Sequence, residues 1–469
     1  MTTNGTAPLT AAAMSQALAA RQITPSQLLD DALERIRRAN ERLGAFVHVD
    51  AQGAASAAAA AEARQKHGTR VGPLDGIPVA VKDNLWVAGM PARWGSQMWA
   101  DFVPEVDDIA VERLRAAGAV IVGKTNTPEF ALSGRTDSPL HGPARNPWNV
   151  ALTPGGSSGG SVAAVAAGMV PLALTTDAGG STRLPASYTG LYGLRPSNGR
   201  VARRYGFPPM ALDFQAVGVV ARTLEDLEMA YRIISGPDAR DPSSLRLPSD
   251  SGPSVGGCLR IGWFSSLGDE LVDPEVATAV EECASLLAEA GCEVVPREAP
   301  YDIALVRRVW GTLSAAGAAR AAELHPDQWR DAASPAIKAA AERGLRLSAI
   351  DYVHALDELA ELRGRVADAW GDVDLFLCPS AASPAWPLGD EFPARIAGRP
   401  GHPAAQNVFA TWVNAIGHPG LSVPVRPHAD GRPLGVQLVG RFGGEEMVFE
   451  VARRLDRAAA WRRPPFPAW

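Results

Sequence analysis

Apolar and polar positions along this chain change period from segment to segment. After Thr24, a proline in the first turn and Gln27 mark a helix start, and Leu28, Leu29, Ala32, Leu33 and Ile36 repeat at helical spacing. Ile77–Val81 is a short apolar run that reads as a buried strand leading into Lys82. Ile109–Ala117 predicts a helix stopped by Gly118, and Ala119–Val122 the next strand. Helices alternating with apolar strands predict an α/β chain with a mostly parallel sheet covered by helices. Ser158–Gly168 is rich in small residues and predicts a helix. Ser157 would then sit at its N-terminal end, where the helix dipole favours developing negative charge.

The pattern shifts over residues 301–371, where alanine, leucine and charged residues repeat at helical spacing with little strand signal. Pro326, Pro335 and Gly344 punctuate this stretch, which predicts several helices on the rim of the sheet. Residues 384–410 predict a long loop, rich in proline and glycine. Strand signals resume at Leu421–Val425 and Gly435–Val439. There is no internal repeat, and we expect one folding unit over residues 1–469.

Composition narrows the class. The chain has 469 residues, 46% hydrophobic and 20% charged, ample for a large core. The net charge is −6, and the arginine-rich stretches (Arg200, Arg203, Arg204; Arg462, Arg463) are short, which argues against a nucleic-acid surface. Cys258, Cys283, Cys292 and Cys378 show no Cys-x-x-Cys spacing, and the histidines form no metal-binding pattern. We therefore expect no metal and no cofactor. Cys378 ends an apolar strand, where α/β folds place ligand contacts, so a pocket role stays open beside burial. Met1–Pro8 lacks the basic start and apolar core of a signal, and no apolar run reaches the roughly 18 residues of a membrane span. A cytoplasmic protein away from membranes is expected.

Two glycine-flanked serines carry the chemistry: Ser157, in Pro154-Gly-Gly-Ser-Ser-Gly-Gly-Ser161, and Ser181, in Asp177-Ala-Gly-Gly-Ser-Thr-Arg183. Serine needs a neighbouring base to act as a nucleophile. Glycines let backbone N–H groups approach a reacting carbonyl oxygen. A lysine buried enough to be neutral, such as Lys82, can be that base. The second motif lies between apolar segments, Met169–Leu174 and Leu191–Leu194, and so is not a floppy linker. The missing lysine-threonine excludes a P-loop at Gly155–Gly160. Together these residues point to acyl transfer by a serine hydrolase without histidine.

With Gly123-Lys-Thr-Asn126, Asn146-Pro-Trp148, Pro185-Ala-Ser187, Gly193-Leu-Arg-Pro196, Pro73-Leu-Asp-Gly-Ile-Pro78 and Pro419-Gly-Leu-Ser-Val-Pro424, these motifs resemble the amidase signature family from about Pro8 to Ala458. The resemblance implies that family's fold, a mixed, mostly parallel twisted sheet flanked by helices. It implies Ser181 as nucleophile, Ser157 as bridging serine on a cis Gly156–Ser157 peptide, and Lys82 as base. It further implies an oxyanion hole from the N–H groups of Ala178, Gly179, Gly180 and Ser181. Thr175-Thr176, Arg195-Pro-Ser-Asn198 and Gln215-Ala-Val-Gly-Val219 depart from the common pattern, which bears on substrate rather than chemistry.

Substrate residues are expected from several places. Ala131 matches a family position whose carbonyl faces the site. The apolar loop holding Tyr205, Phe207 and Met210 reads as a substrate lid. Trp86, Trp94, Trp99, Trp386 and Trp412 each read singly as core packing but as a group suggest a pocket for an apolar or aromatic group, with Asp137 and His141 as candidate polar contacts and a loop-orienting role the stronger reading for His141. The expected activity is hydrolysis of a small-molecule C–N acyl bond other than a peptide bond: a hydrophobic or aryl amide, or a carbamate (urethane). A monomer or homodimer without an obligate hetero-partner is expected. The alternative is a glutamine amidotransferase subunit that generates ammonia for a partner.

Overall fold

A computed structural model describes residues 10–247, 258–459, 466, 467 and 469. Eleven strands make one sheet: β1 (Phe46–Val49), β2 (Pro78–Lys82), β3 (Val120–Thr125), β4 (Leu172–Asp177), β5 (Tyr192–Arg195), β6 (Ala216–Ala221), β7 (Arg260–Trp263), β8 (Glu293–Pro296), β9 (Leu375–Pro379), β10 (Gly420–Pro424) and β11 (Gly435–Gly440). Their spatial order is β1-β3-β2-β4-β6-β5-β10-β11-β9-β7-β8.

The sheet is mixed, but parallel pairing does not dominate it. The runs β3-β2-β4 and β9-β7-β8 are parallel. Every pair from β4 through β6, β5, β10 and β11 to β9 is antiparallel. For β10 and β11 the connection accounts for the departure from the expected mostly parallel sheet. Parallel neighbours need a crossover, whereas β10 and β11 are joined by the helix-free stretch Val425–Leu434 and can only fold back.

Both faces of the sheet are covered. In β2, Val79 and Val81 belong to one apolar cluster while Ala80 belongs to another. Burial on both faces accounts for the unbroken apolar run seen in the sequence. The helix α1 (Pro25–Leu43) begins with the Thr24/Gln27 capping box and ends at left-handed Gly44. Then come α2 (Ile109–Ala116), α3 (Gly159–Ala166) and α4 (Arg183–Thr189). Residues 303–370 hold α5 (Ile303–Leu324), α6 (Pro326–Ala332), α7 (Pro335–Leu345) and α8 (Ala349–Trp370), each of the last three starting at a serine, histidine or proline signal. Leu305, Val309, Leu359 and Val366 from α5 and α8 pack with Trp370 and Phe376 in one apolar cluster. The loop stretch ends in α9 (Thr411–Ile416). Among the described residues, no helix is long and apolar enough to cross a membrane, and no cluster of His, Cys, Asp or Glu could hold a metal ion.

Candidate active site

Parallel pairing of β2 with β4, in the register Val81↔Leu174, brings Lys82 beside Thr176 at the ends of the two strands. Lys82 is fully buried, and its Nζ is hydrogen bonded to Ser157 Oγ at 2.7 Å and Thr176 Oγ1 at 3.1 Å. Thr176 Oγ1 also accepts from Asn84 Nδ2 at 2.9 Å. Burial pushes the Lys82 pKa down to about 7, with the Asp177 carboxylate pulling weakly the other way.

Ser157 lies just before α3, and the Gly156–Ser157 peptide is cis. Gly155 has φ +84°, and a Cβ there would stand 2.6 Å from the Tyr188 ring, so only glycine fits. The Ser158 N–H donates to the Ser181 carbonyl at 3.2 Å, tying the two serine segments together. The Ser157 and Ser181 hydroxyls are not hydrogen bonded to each other among the described residues. Ser181 instead lines a cavity of about 410 Å³ together with Ala131, Ala178 and Gly179.

The loop carrying Ser181 is shaped by Asp177. Its carboxylate accepts from the N–H groups of Gly180 at 2.8 Å and Thr182 at 3.1 Å, from Asn414 Nδ2 at 2.8 Å, and from Arg183 Nε and Nη2 at 3.0 Å. Arg183 continues to Gln437 Oε1, Asn414 Oδ1 and the Ala410 carbonyl. Burial alone would raise the Asp177 pKa, but Arg183, Arg195 and Asn414 outweigh it and hold the carboxyl well below the usual range. The Asp177–Arg183 pair is fully buried, and its polar neighbours satisfy both groups.

This network changes the expected oxyanion hole. The Gly180 N–H is committed to Asp177, so it does not face the cavity as a free donor. The N–H groups of Ala178, Gly179 and Ser181 have no acceptor among the described residues, and these three residues line the cavity.

Ala131 lies on the cavity wall with φ +57° beside Phe130 at φ +52°. Such left-handed backbone costs of order 1 kcal/mol for a non-glycine residue and is held here by its surroundings. Tyr205, Phe207 and Met210 are not brought to this cavity. The Phe207 ring stacks on Trp94 at 4.6 Å within a nest that includes Trp86, Trp99 and Phe102. Met210 packs against α5 at Gly317, and Tyr205 lines a different cavity.

The expected tryptophan pocket is likewise redistributed. Trp86, Trp94 and Trp99 serve that nest, Trp386 packs on Tyr188, and Trp412 stacks on Tyr301 at 4.8 Å. The indole that lines the Ser181 cavity is Trp310 of α5, with Leu132, Ile303 and Val306 as further apolar walls. Asp137 pairs with Arg135 at 3.1 Å, and neither Asp137 nor His141 lines the cavity. Cys378 is buried and bonded to Gln437 Nε2, with its thiol pushed up to about 12 by burial.

Sequence reading named no role for Thr176, Asn84, Asp177, Arg183 or Trp310. For the charged pair a signal existed, because a buried Asp and Arg six residues apart in one motif must find each other. Trp310 sits on a helix more than a hundred residues from either serine, where only the tertiary fold reveals it.

Residues 27–449 match the family model described as Amidase. Among curated proteins, the glutamyl-tRNA(Gln) amidotransferase A subunit of Anaeromyxobacter dehalogenans (strain 2CP-C) is 36% identical, covering 96% of this chain and 95% of the relative. The corresponding protein of Nitratidesulfovibrio vulgaris (strain DP4) is 34% identical, covering 96% of each. Among solved structures, a bacterial aryl acylamidase of the amidase signature enzymes superimposes with a TM-score of 0.89 at 27% identity, covering 97% of each chain. A 6-aminohexanoate cyclic dimer hydrolase in complex with substrate does so with a TM-score of 0.85 at 28% identity, covering 98% of this chain and 99% of that one. The names of the curated relatives overturn the expectation that no obligate hetero-partner is involved, because those proteins are subunits of an amidotransferase.

Proposed function

This chain belongs to the amidase family, an enzyme family acting on C–N bonds, and we propose that it cleaves a small hydrophobic or aryl amide, or the related carbamate, through an acyl-enzyme on Ser181. The observation that carries this reading is the buried Lys82, its pKa brought down to about 7, held 2.7 Å from Ser157 Oγ beside the cavity that Ser181 lines.

Neutral Lys82 takes the Ser157 proton while Ser157 takes that of Ser181, whose oxygen attacks the acyl carbon. The Ser181 hydroxyl must turn onto Ser157 to start this step, since the resting hydroxyls are not bonded to each other; catalytic hydrogen bonds commonly tighten only with substrate bound. The N–H groups of Ala178, Gly179 and Ser181 receive the oxyanion, each such donor being worth about 3–4 kcal/mol. The proton returns through Ser157 to the leaving nitrogen, and water cleaves the acyl-enzyme by the same relay. Leu132, Ile303, Val306 and Trp310 supply an apolar wall for the substrate.

Thr176 tunes the base. Its Oγ1 accepts from Lys82 and so favours the charged amine. Thr176→Val is expected to move the acidic limb of kcat/KM to lower pH by about one unit, the scale of one charge-assisted hydrogen bond. A pH–rate profile of the variant checks this.

A second reading, in which the chain releases ammonia from glutamine for a partner protein, draws the closer support from the curated relatives. The cavity lining weighs the other way, because its one charged residue, Arg307, is already held two-pronged by Glu270, and no carboxylate lines the cavity to meet the ammonium group of free glutamine. An aryl anilide, an aryl carbamate, an alkyl amide and glutamine, each offered to wild type and to Ser181→Ala, separate the readings. Arylamine release by wild type alone supports the hydrolase. Turnover of glutamine alone, with a second chain co-purifying, supports the amidotransferase. Unchanged turnover in Ser181→Ala overturns both.

A further inference from the structure

The loop Tyr205–Met210, expected to cover the substrate, instead walls a second cavity of about 650 Å³ that shares no lining residue with the Ser181 cavity. Its lining carries four arginines, Arg203, Arg204, Arg246 and Arg363, against two aspartates, Asp213 and Asp241. We propose that this cavity is a binding site for a small organic oxyanion, a carboxylate or phosphate ester carrying an apolar or aromatic body.

Both aspartates are already hydrogen bonded, and one of them is ion-paired. Both Asp213 carboxylate oxygens accept from Arg363 Nη2, each at 3.0 Å, and Arg363 Nε donates to the Ala415 carbonyl. Asp241 accepts from the backbone N–H groups of Arg203 and Ser243. Arg203 is fixed by Gln215 Oε1 at 2.9 Å and lies 3.9 Å from the buried Asp108 carboxylate. Arg204 leans over the Tyr205 ring at 5.9 Å, and neither Arg204 nor Arg246 has a carboxylate partner among the described residues. The site thus holds two guanidinium groups, Arg204 and Arg246, without a carboxylate partner among the described residues.

Apolar surface lies next to this charge. Phe442, half exposed, and Leu212 line the same cavity, as do Phe207 and Ile416. Guanidinium groups bind carboxylate and phosphate in a two-pronged geometry, and aromatic walls add contact for a planar body. An ammonium ligand would meet the wrong sign of charge, and a purely apolar one would bury arginine without compensation.

The test is calorimetric titration of the full chain with phenyl phosphate and with inorganic phosphate, for wild type, for Arg204→Gln with Arg246→Gln, and for wild type whose Ser181 has been acylated by a serine-reactive probe. Neither replaced arginine forms an ion pair among the described residues, so the variant should keep its fold and its basal amide turnover. The expected result is saturable 1:1 binding of phenyl phosphate, tighter than phosphate, weakened about tenfold for each arginine removed and untouched by Ser181 acylation. Three results would each overturn the proposal: no saturable binding, equal binding by wild type and variant, or binding abolished by acylation of Ser181. Equal affinity for both probes would remove the aromatic part of the ligand class and so also contradict it.

Discussion

Lys82→Met is expected to lower kcat on any turned-over amide by on the order of 10²–10⁴-fold, the usual contribution of a positioned general base. Wild-type kcat/KM should rise with pH through an acidic limb near 7, where burial has brought the Lys82 pKa, and the residual activity of the variant should lack that limb. Stability should also rise with pH, over a higher window. The folded-state pKa of this lysine lies below its ordinary value of 10.5, so between about pH 7 and 10.5 the unfolded chain binds the extra proton. Wild-type stability should therefore climb across that window as the cost of burying the amine disappears. Lys82→Met should be the more stable protein at pH 7, with the gap closing towards pH 10. Denaturant unfolding at both pH values, run beside the rate profile, checks the two halves together. A variant both inactive and less stable at pH 7 would mean that Lys82 is a structural cation.

Arg183→Met is expected to destabilise the fold by about 3–5 kcal/mol, because it leaves the fully buried Asp177 carboxylate without its main partner. Gln437 Oε1, Asn414 Oδ1 and the Ala410 carbonyl also lose a donor. Thermal unfolding of the single variant should show the loss. Pairing it with Asp177→Asn should restore much of the stability by removing the stranded charge, but not activity. The Gly180 and Thr182 N–H groups that the carboxylate anchors would still be held less firmly, and with them the loop that presents Ser181. Recovery of full activity in the double variant would show that the ion pair only holds the fold.

Local signals in the sequence translated well. The Thr24 capping box, the apolar run into Lys82 and the strand after Gly118 all appear within a few residues of where periodicity puts them. Ser157 is hydrogen bonded to Lys82, and pairing of β2 with β4 places Thr176, just before the Ser181 motif, beside the same lysine. What the chain hid is non-local. The direction of the central strands depends on which distant strands become neighbours, and apolar content does not report that. The aromatic loop looked like a lid because apolar loops over clefts often are. Phe207 is instead consumed by Trp94 and its neighbours, and Trp310 of α5 takes the wall position. Hydrogen-bond competition was equally invisible: nothing in Asp177-Ala-Gly-Gly-Ser181 says that the Gly180 N–H serves the aspartate rather than an oxyanion.

The most direct measurement is intact mass and peptide mapping after rapid quench of the enzyme with an aryl amide or carbamate that it turns over. The account predicts an added acyl mass on the peptide containing Ser181 in wild type, and no adduct in Ser181→Ala. Acyl mass on Ser157, or steady turnover by Ser181→Ala, would contradict it.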